Sequence, residues 1–118
     1  MKIILKGNPA SNQTIYGMNC RGSFPTRYMT ARGKSIKEQY QWEAKSQHKG
    51  RPLEREIEID IELYFKDKRK KDIDNFGKIL LDALTGIVWK DDSQIYRMTV
   101  EKFIDKDNPR IILEVYET

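Results

Sequence analysis

In Glu56-Ile57-Glu58-Ile59-Asp60-Ile61-Glu62-Leu63-Tyr64-Phe65 the side chains alternate without a fault: Ile57, Ile59, Ile61, Leu63 and Phe65 on one side, Glu56, Glu58, Asp60, Glu62 and Tyr64 on the other. Successive residues of a strand point to opposite faces, so this is a strand with one buried and one wet face. After it a charged run, Lys66 to Lys71, leads into a helix. The apolar residues Phe76, Ile79, Leu80, Ala83, Leu84 and Ile87 follow the helical i, i+3, i+4, i+7, i+8, i+11 template, with Asp74 as the expected N-cap and Gly86 as the stop.

Strands are expected at about Gln94 to Ile104 and Arg110 to Tyr116. The turn-rich Asp105-Lys106-Asp107-Asn108-Pro109 between them suggests an antiparallel hairpin. Before Glu56, a helix from about Lys34 to His48 is carried by Ile36, Tyr40, Ala44 and Gln47 and ended by Gly50 and Pro52. The residues from Asn8 to Gly33 hold no sustained period and read as a long basic loop, and Met1 to Gly7 reads as a short strand. The order is β-α-β-α-β-β. This is an α+β fold, a single small domain over residues 1–118 with a mixed β-sheet covered by two helices.

At 118 residues the chain has room for one domain, which excludes a multidomain enzyme, and a domain of this size often gains from forming a homodimer. The formal charge is +4, and the first 37 residues carry Lys2, Lys6, Arg21, Arg27, Arg32, Lys34 and Lys37 with no acid at all. An acid-free basic block points to a polyanionic partner. Tyr16, Phe24 and Tyr28 interleave with Arg21, Arg27 and Arg32, a pattern that suits either nucleic-acid contact or pinning of the loop to the core. Cys20 is the sole cysteine, so neither an internal disulfide nor a thiolate metal site is available, and a reducing, cytoplasmic setting is expected. The apolar run before Lys6 is too short for a signal core or a membrane span. No Ser-His-Asp or Cys-His pairing and no Gly-rich phosphate loop is readable, and no organic cofactor is expected. His48 reads as an exposed helix-end histidine. Trp42 lies off the apolar face of its helix and suits a dimer contact, a base-stacking platform or packing against the loop.

The chemistry concentrates between Lys68 and Gln94. Asp72 and Asp74 are two apart and send their carboxylates to the same side, while Asp91 and Asp92 open the next strand. If that strand runs beside Glu56–Phe65, the two acidic ends meet at one sheet edge. Three hard carboxylates without a His or Cys suit Mg²⁺ or Mn²⁺ and not zinc. The bland alternative is that Asp74 caps the helix, Asp72 favours its positive end and Asp91-Asp92 is a solvated turn. Against it stand Lys68, Arg69, Lys70 and Lys71, phosphate-holding cations directly beside the acids. Asp74, Lys78 and Asp82 are spaced four apart on one stripe. Asp82 reads as part of an ion-pair ladder, whereas Lys78 is close enough to Asp74 to reach a scissile phosphate. Gly77 either permits a close approach or has no special role.

The segment KKDIDNFGKILLDALTGIVWKDDSQI resembles the signature of the RusA-type endodeoxyribonucleases, small dimeric Holliday junction resolvases of bacteria and their phages. Asp72, Asp74 and Asn75 fill its Asp-x-Asp-Asn, Lys78 its following Lys, Asp82-Ala83-Leu84 its Asp-Ala-Leu, and Asp91-Asp92-Ser93-Gln94 its last element. The resemblance implies divalent-metal binding by Asp72, Asp74 and Asp92 and a catalytic part for Lys78. The N-terminal Pro-Pro-Ser-x-Asn pattern appears as Pro9-Ala10-Ser11-Asn12, without the second Pro and with Asn directly after Ser.

The expected activity is Mg²⁺- or Mn²⁺-dependent cleavage of branched DNA, above all the four-way junction, by a homodimer in recombination and repair. The products would be a 5′-phosphate and a 3′-hydroxyl. Candidate DNA contacts are Arg21, Arg27, Arg32, Lys68, Arg69, Lys70, Lys71 and Asn75. The rival readings are a nuclease for other branched DNA and a non-catalytic basic DNA-binding dimer.

Overall fold

In the computed structural model the described residues are 1–11, 16–19 and 26–118. The strands are β1 (Lys2–Lys6), β2 (Tyr16–Asn19), β3 (Thr26–Met29), β4 (Ile57–Phe65), β5 (Ile95–Ile104) and β6 (Arg110–Glu117). The helices are α1 (Ala31–Gln47) and α2 (Gly77–Leu84), with 3-10 turns at Ile73–Asn75 and Asp92–Gln94. No helix among the described residues is long and apolar enough to cross a membrane.

β4 buries all five of its inward residues, Ile57, Ile59, Ile61, Leu63 and Phe65, at 2% exposure or less. Beside them lie Ile3 and Leu5 of β1 and Ile111, Leu113 and Val115 of β6, and the core cluster is completed by Tyr40 and Ala44 of α1 and Ile79, Leu80, Ala83 and Leu84 of α2. Alternation in β1, β4 and β6 thus gives an α+β layer of helices on a single sheet.

The sheet order is β1-β6-β4-β5, with β4 and β5 parallel and the other pairs antiparallel. The expected β5–β6 hairpin does not form, because β4 lies between the two strands. The segment from Asp105 to Pro109 is long enough to pass over the end of β4, and the Asp105 N–H donates to the Phe65 carbonyl at 2.8 Å as it does so. Arg110 Nη1 pairs with Asp105 Oδ2 at 2.7 Å and fixes the loop from within.

The basic N-terminal segment also differs from the expected open loop, since β2 and β3 pair antiparallel within it. Local hairpin pairing needs no long apolar run, which is why the pattern escaped a periodicity reading. Arg21, Cys20 and Phe24 lie outside the described residues, and of Tyr16 and Arg27 only the backbone is described. α1 begins three residues earlier than Lys34, because Thr30 caps it by accepting from the Gly33 N–H at 3.0 Å. α2 begins later than expected. Asp74 is not its cap: the chain makes a 3-10 turn at Ile73–Asn75 first, and Phe76 precedes the helix with no side-chain cap. Gly86, at φ +90°, takes the left-handed conformation that stops it.

Trp89, absent from the sequence-based core, is fully buried. Its indole N–H donates to Thr85 Oγ1 at 2.9 Å, and Thr85 Oγ1 in turn donates to the Leu81 carbonyl. At the far edge, α1 closes β1. Gln47 accepts from the Ile4 N–H and donates to the Ile4 carbonyl, both at 2.7 Å, while Glu43 accepts from the Lys6 N–H at 3.1 Å. Side chains of a helix thereby stand in for a neighbouring strand.

Replacing Gln47 by Ala removes both bonds to Ile4 and is expected to lower unfolding free energy by about 1 kcal/mol in urea titration. Trp42→Ala on the same helix, at a side chain 71% exposed, is expected to change it by less than about 0.5 kcal/mol.

Candidate active site

The connection from β4 to β5 returns α2 across the inner face of the sheet, and between α2 and β5 lies an open cavity of about 910 Å³. Its walls include Asp72, Asp74, Lys78, Asp82 and Asp92, with Lys71 and Lys102 at its margin and Met98 and Val100 on the strand side. Met98, Val100 and Lys102 alternate along one strand, so the cavity follows about 13 Å of β5. The two acidic ends of the crossover therefore share one cavity, with the acids strung along it.

Asp72 adopts an extended backbone before the 3-10 turn that carries Asp74. Both are exposed to solvent, as is Lys78 on the first turn of α2. Asp82 lines the same cavity one turn further on. Asp74 stands in the 3-10 turn outside the α-helix, whereas Lys78 and Asp82 lie one turn apart on it. A Cβ built on Gly77 would come no closer than 4.0 Å to Met98, so the glycine is not required for room.

At the other end, Asp91 and Asp92 are adjacent in sequence and differently employed. Asp91 caps the turn Asp92–Gln94, accepting from the Ser93 N–H at 3.3 Å. Hydrogen bonds from the Ser93 backbone and hydroxyl hold its carboxyl below the usual carboxylate range. Gln94 completes this turn: its Oε1 accepts from the Asp91 N–H at 2.7 Å, and its Nε2 donates to the carbonyls of Leu53 and Arg55, both at 2.8 Å. The turn is thus moored to the segment preceding β4, and Asp92, not Asp91, lines the cavity. The signature already includes Gln94, but its anchoring part was not read from sequence; the signal for it is the capping-box spacing from Asp91.

The basic run divides. Lys71 Nζ donates to Asp67 Oδ1 at 2.7 Å and to the Arg69 carbonyl at 3.0 Å, and sits 4.7 Å from the Phe65 ring centre. Lys71 therefore clamps the loop that delivers Asp72, and this contact holds the Asp67 carboxyl below its ordinary range. Lys68, Arg69 and Lys70 are exposed; the Arg69 guanidinium lies 3.8 Å from Asp67, and the Arg69 backbone N–H donates to Asp67 Oδ1 at 3.1 Å. Lys70 and Asn75 share a second cavity with Asp72, Asn8, Pro9 and Ser11, so the N-terminal turn reaches the back of the acidic end. Arg32 is exposed on the first turn of α1. Lys102, unnoticed in sequence, donates to the Lys71 carbonyl at 3.0 Å from the cavity margin. His48 is engaged at the end of α1, 2.9 Å from the Arg51 carbonyl.

Carboxylates alone furnish the acidic donors of the cavity, a chemistry that fits a hard divalent cation. Among the described residues no three His, Cys, Asp or Glu side chains are grouped so as to hold one ion. Mg²⁺ does not require such a cage, since it keeps several waters and commonly takes one or two carboxylates together with substrate phosphates.

The sequence matches the profile of the family described as Endodeoxyribonuclease RusA over residues 6–116. It is 31% identical over 109 residues to the crossover junction endodeoxyribonuclease RusA of Aquifex aeolicus (strain VF5), covering 91% of this chain and 82% of that protein. It is also 40% identical over 48 residues to the uncharacterized protein YqaN of Bacillus subtilis (strain 168), covering 41% of this chain and 33% of that protein. With the profile spanning nearly the whole chain and a relative of similar length aligned along it, the chain belongs to the RusA family of endodeoxyribonucleases.

Proposed function

We propose that the protein is a divalent-metal-dependent endonuclease that resolves four-way DNA junctions, acting as a cytoplasmic homodimer in recombination and repair. The observation that carries this reading is the single cavity lined by Asp72, Asp74, Asp92 and Lys78 beside an exposed cationic run. A purely architectural DNA-binding protein has no use for acids in a cavity flanked by phosphate-binding side chains, because they would repel the ligand.

Asp72, Asp74 and Asp92 line the cavity without closing around one point, and they would hold Mg²⁺ or Mn²⁺ together with substrate phosphate oxygens and water. When bound, such a cation supplies Lewis-acid charge to the phosphate and a water activated near neutral pH. Lys68, Arg69 and Lys70 are exposed donors for the DNA backbone, with Arg21, Arg27, Arg32 and Asn75 as further contacts. Lys71 serves the site by holding the loop. Lys78 neutralises charge developing on the phosphate oxygens. The new bond joins the water oxygen to phosphorus and the bond to the 3′-oxygen breaks. That oxygen takes a proton, leaving a 3′-hydroxyl and a 5′-phosphate. A homodimer supplies two such sites related by a two-fold axis, the symmetry of a junction cut on paired strands.

Asp72→Asn and Asp74→Asn are expected to abolish cleavage of a synthetic mobile junction in Mg²⁺ while gel-shift affinity in EDTA stays within about threefold, since the cationic surface is kept. Full activity in either variant would remove the metal assignment, and cleavage by the wild type in EDTA would remove the metal dependence.

Asp92→Asn is expected to be inactive with an unchanged melting temperature. Asp91→Asn is expected to keep its cap, because Asn caps nearly as well as Asp, and to retain most of its activity. The reverse pattern would transfer the ligand role to Asp91.

Lys78→Ala is expected to slow single-turnover cleavage by roughly 100-fold or more. Its effect on stability should be at most about 1 kcal/mol, as for other exposed cations. A wild-type rate would withdraw Lys78 from the chemistry.

A further inference from the structure

The two edges of the sheet are treated differently. β1 is closed by Glu43 and Gln47 of α1, whereas among the described residues nothing hydrogen-bonds to the outward side of β5. β5 is also the longest strand, at ten residues, and it exposes Tyr96, Met98, Phe103 and Ile104 by 52, 44, 38 and 51%. A long, uncovered edge that exposes four large apolar side chains is a template for another strand.

The charges on its outer face indicate which strand. Glu62 of β4 and Glu101 of β5 stand directly opposite in register, a repulsive arrangement, and neither makes an ion pair among the described residues. Arg97, on the same face of β5 and four residues away, is 60% exposed and has only a 3.6 Å contact with Glu58.

We propose that β5 pairs antiparallel with β5 of a second copy about a two-fold axis at Thr99, joining the two sheets into one. This deepens the homodimer reading above and rests on it. With Thr99 opposite its own counterpart, Arg97 faces Glu101 of the partner subunit and Glu101 faces Arg97 of the partner subunit. The cation lacking beside Glu62 and Glu101 is then supplied twice over by symmetry. On the inner face the same register sets Met98 against Val100 of the partner subunit. Centring the axis on Val100 instead sets Arg97 against Phe103 of the partner subunit and loses both ion pairs. Up to about ten backbone hydrogen bonds form across the junction, as many as a typical specific interface carries.

The axis stands perpendicular to the sheet, so both acidic cavities open on one face. Met98, Val100 and Lys102 line the cavity and lie on the joining strand, which makes the two cavities direct neighbours. Two cleavage centres held side by side suit a substrate with paired scissile strands.

The test uses the full chain carrying Cys20→Ser. Thr99→Cys is expected to give a disulfide-linked dimer on mild oxidation, since directly opposed antiparallel residues lie about 4.5–5.5 Å apart at Cα, within disulfide range. Arg97→Cys, offset from its counterpart by about 14 Å of strand, is expected to stay unlinked. In the unmodified background, Arg97→Glu and Glu101→Arg are each expected to raise the dimer dissociation constant at least about tenfold in sedimentation equilibrium, and the double exchange to restore it to within about threefold. A wild-type dimer with no cross-link through Thr99→Cys and no response to either charge reversal would place the interface elsewhere, leaving the homodimer itself standing. A wild type that sediments as a monomer both with and without junction DNA would overturn the dimer and this interface together.

Discussion

Parallel pairing of β4 with β5 is the constraint from which the site follows. Parallel neighbours cannot be joined by a tight turn, so the chain must leave the end of β4, cross the sheet and re-enter at the start of β5. That crossover holds the basic run, both acidic pairs and α2. Its apolar stripe joins the core cluster with the inner row of β4, and the polar residues Lys78 and Asp82 line the cavity with the inner residues of β5. The cavity is the space that this geometry leaves between helix and strand.

Two polar anchors set the ends of that crossover. Near its beginning Lys71 is spent on Asp67 and on backbone carbonyls, which gives the segment before Asp72 a definite course despite its run of like charges. At its close Gln94 binds three backbone groups at once and decides, with Asp91, that Asp92 is the acid turned to the cavity. Neither anchor carries the chemistry proposed for the site. Each converts a flexible, charged stretch into a support, as preorganised sites require.

Much of this was legible beforehand, and the misses have physical causes. The β4 row and the α2 stripe are strong periodic signals, and both elements form, although α2 is shorter than its stripe at both ends. The hairpin of β5 and β6 was misread because turn residues between two strands report that the chain reverses, not that the strands become neighbours; a third strand can take the space between. Asp74 has the composition of a cap but lies in a turn that the apolar pattern, starting at Phe76, does not resolve. The acidic site was readable as a set of residues, since types and spacing are local. Lys102, and the anchoring part of Gln94, were not, because they depend on contacts reaching across 31 and 39 to 41 residues of chain.

The sealing of β1 by α1 has a consequence for stoichiometry. A sheet with two bare edges can add copies at both ends, and nothing in strand pairing itself tells it when to stop. Here Gln47 and Glu43 occupy the donors and acceptors that a further strand would need. Among the described residues one edge is open and one occupied, which gives a monomer of valence one. The strand addition proposed at β5 would therefore end after a single step, in a closed pair instead of a fibre.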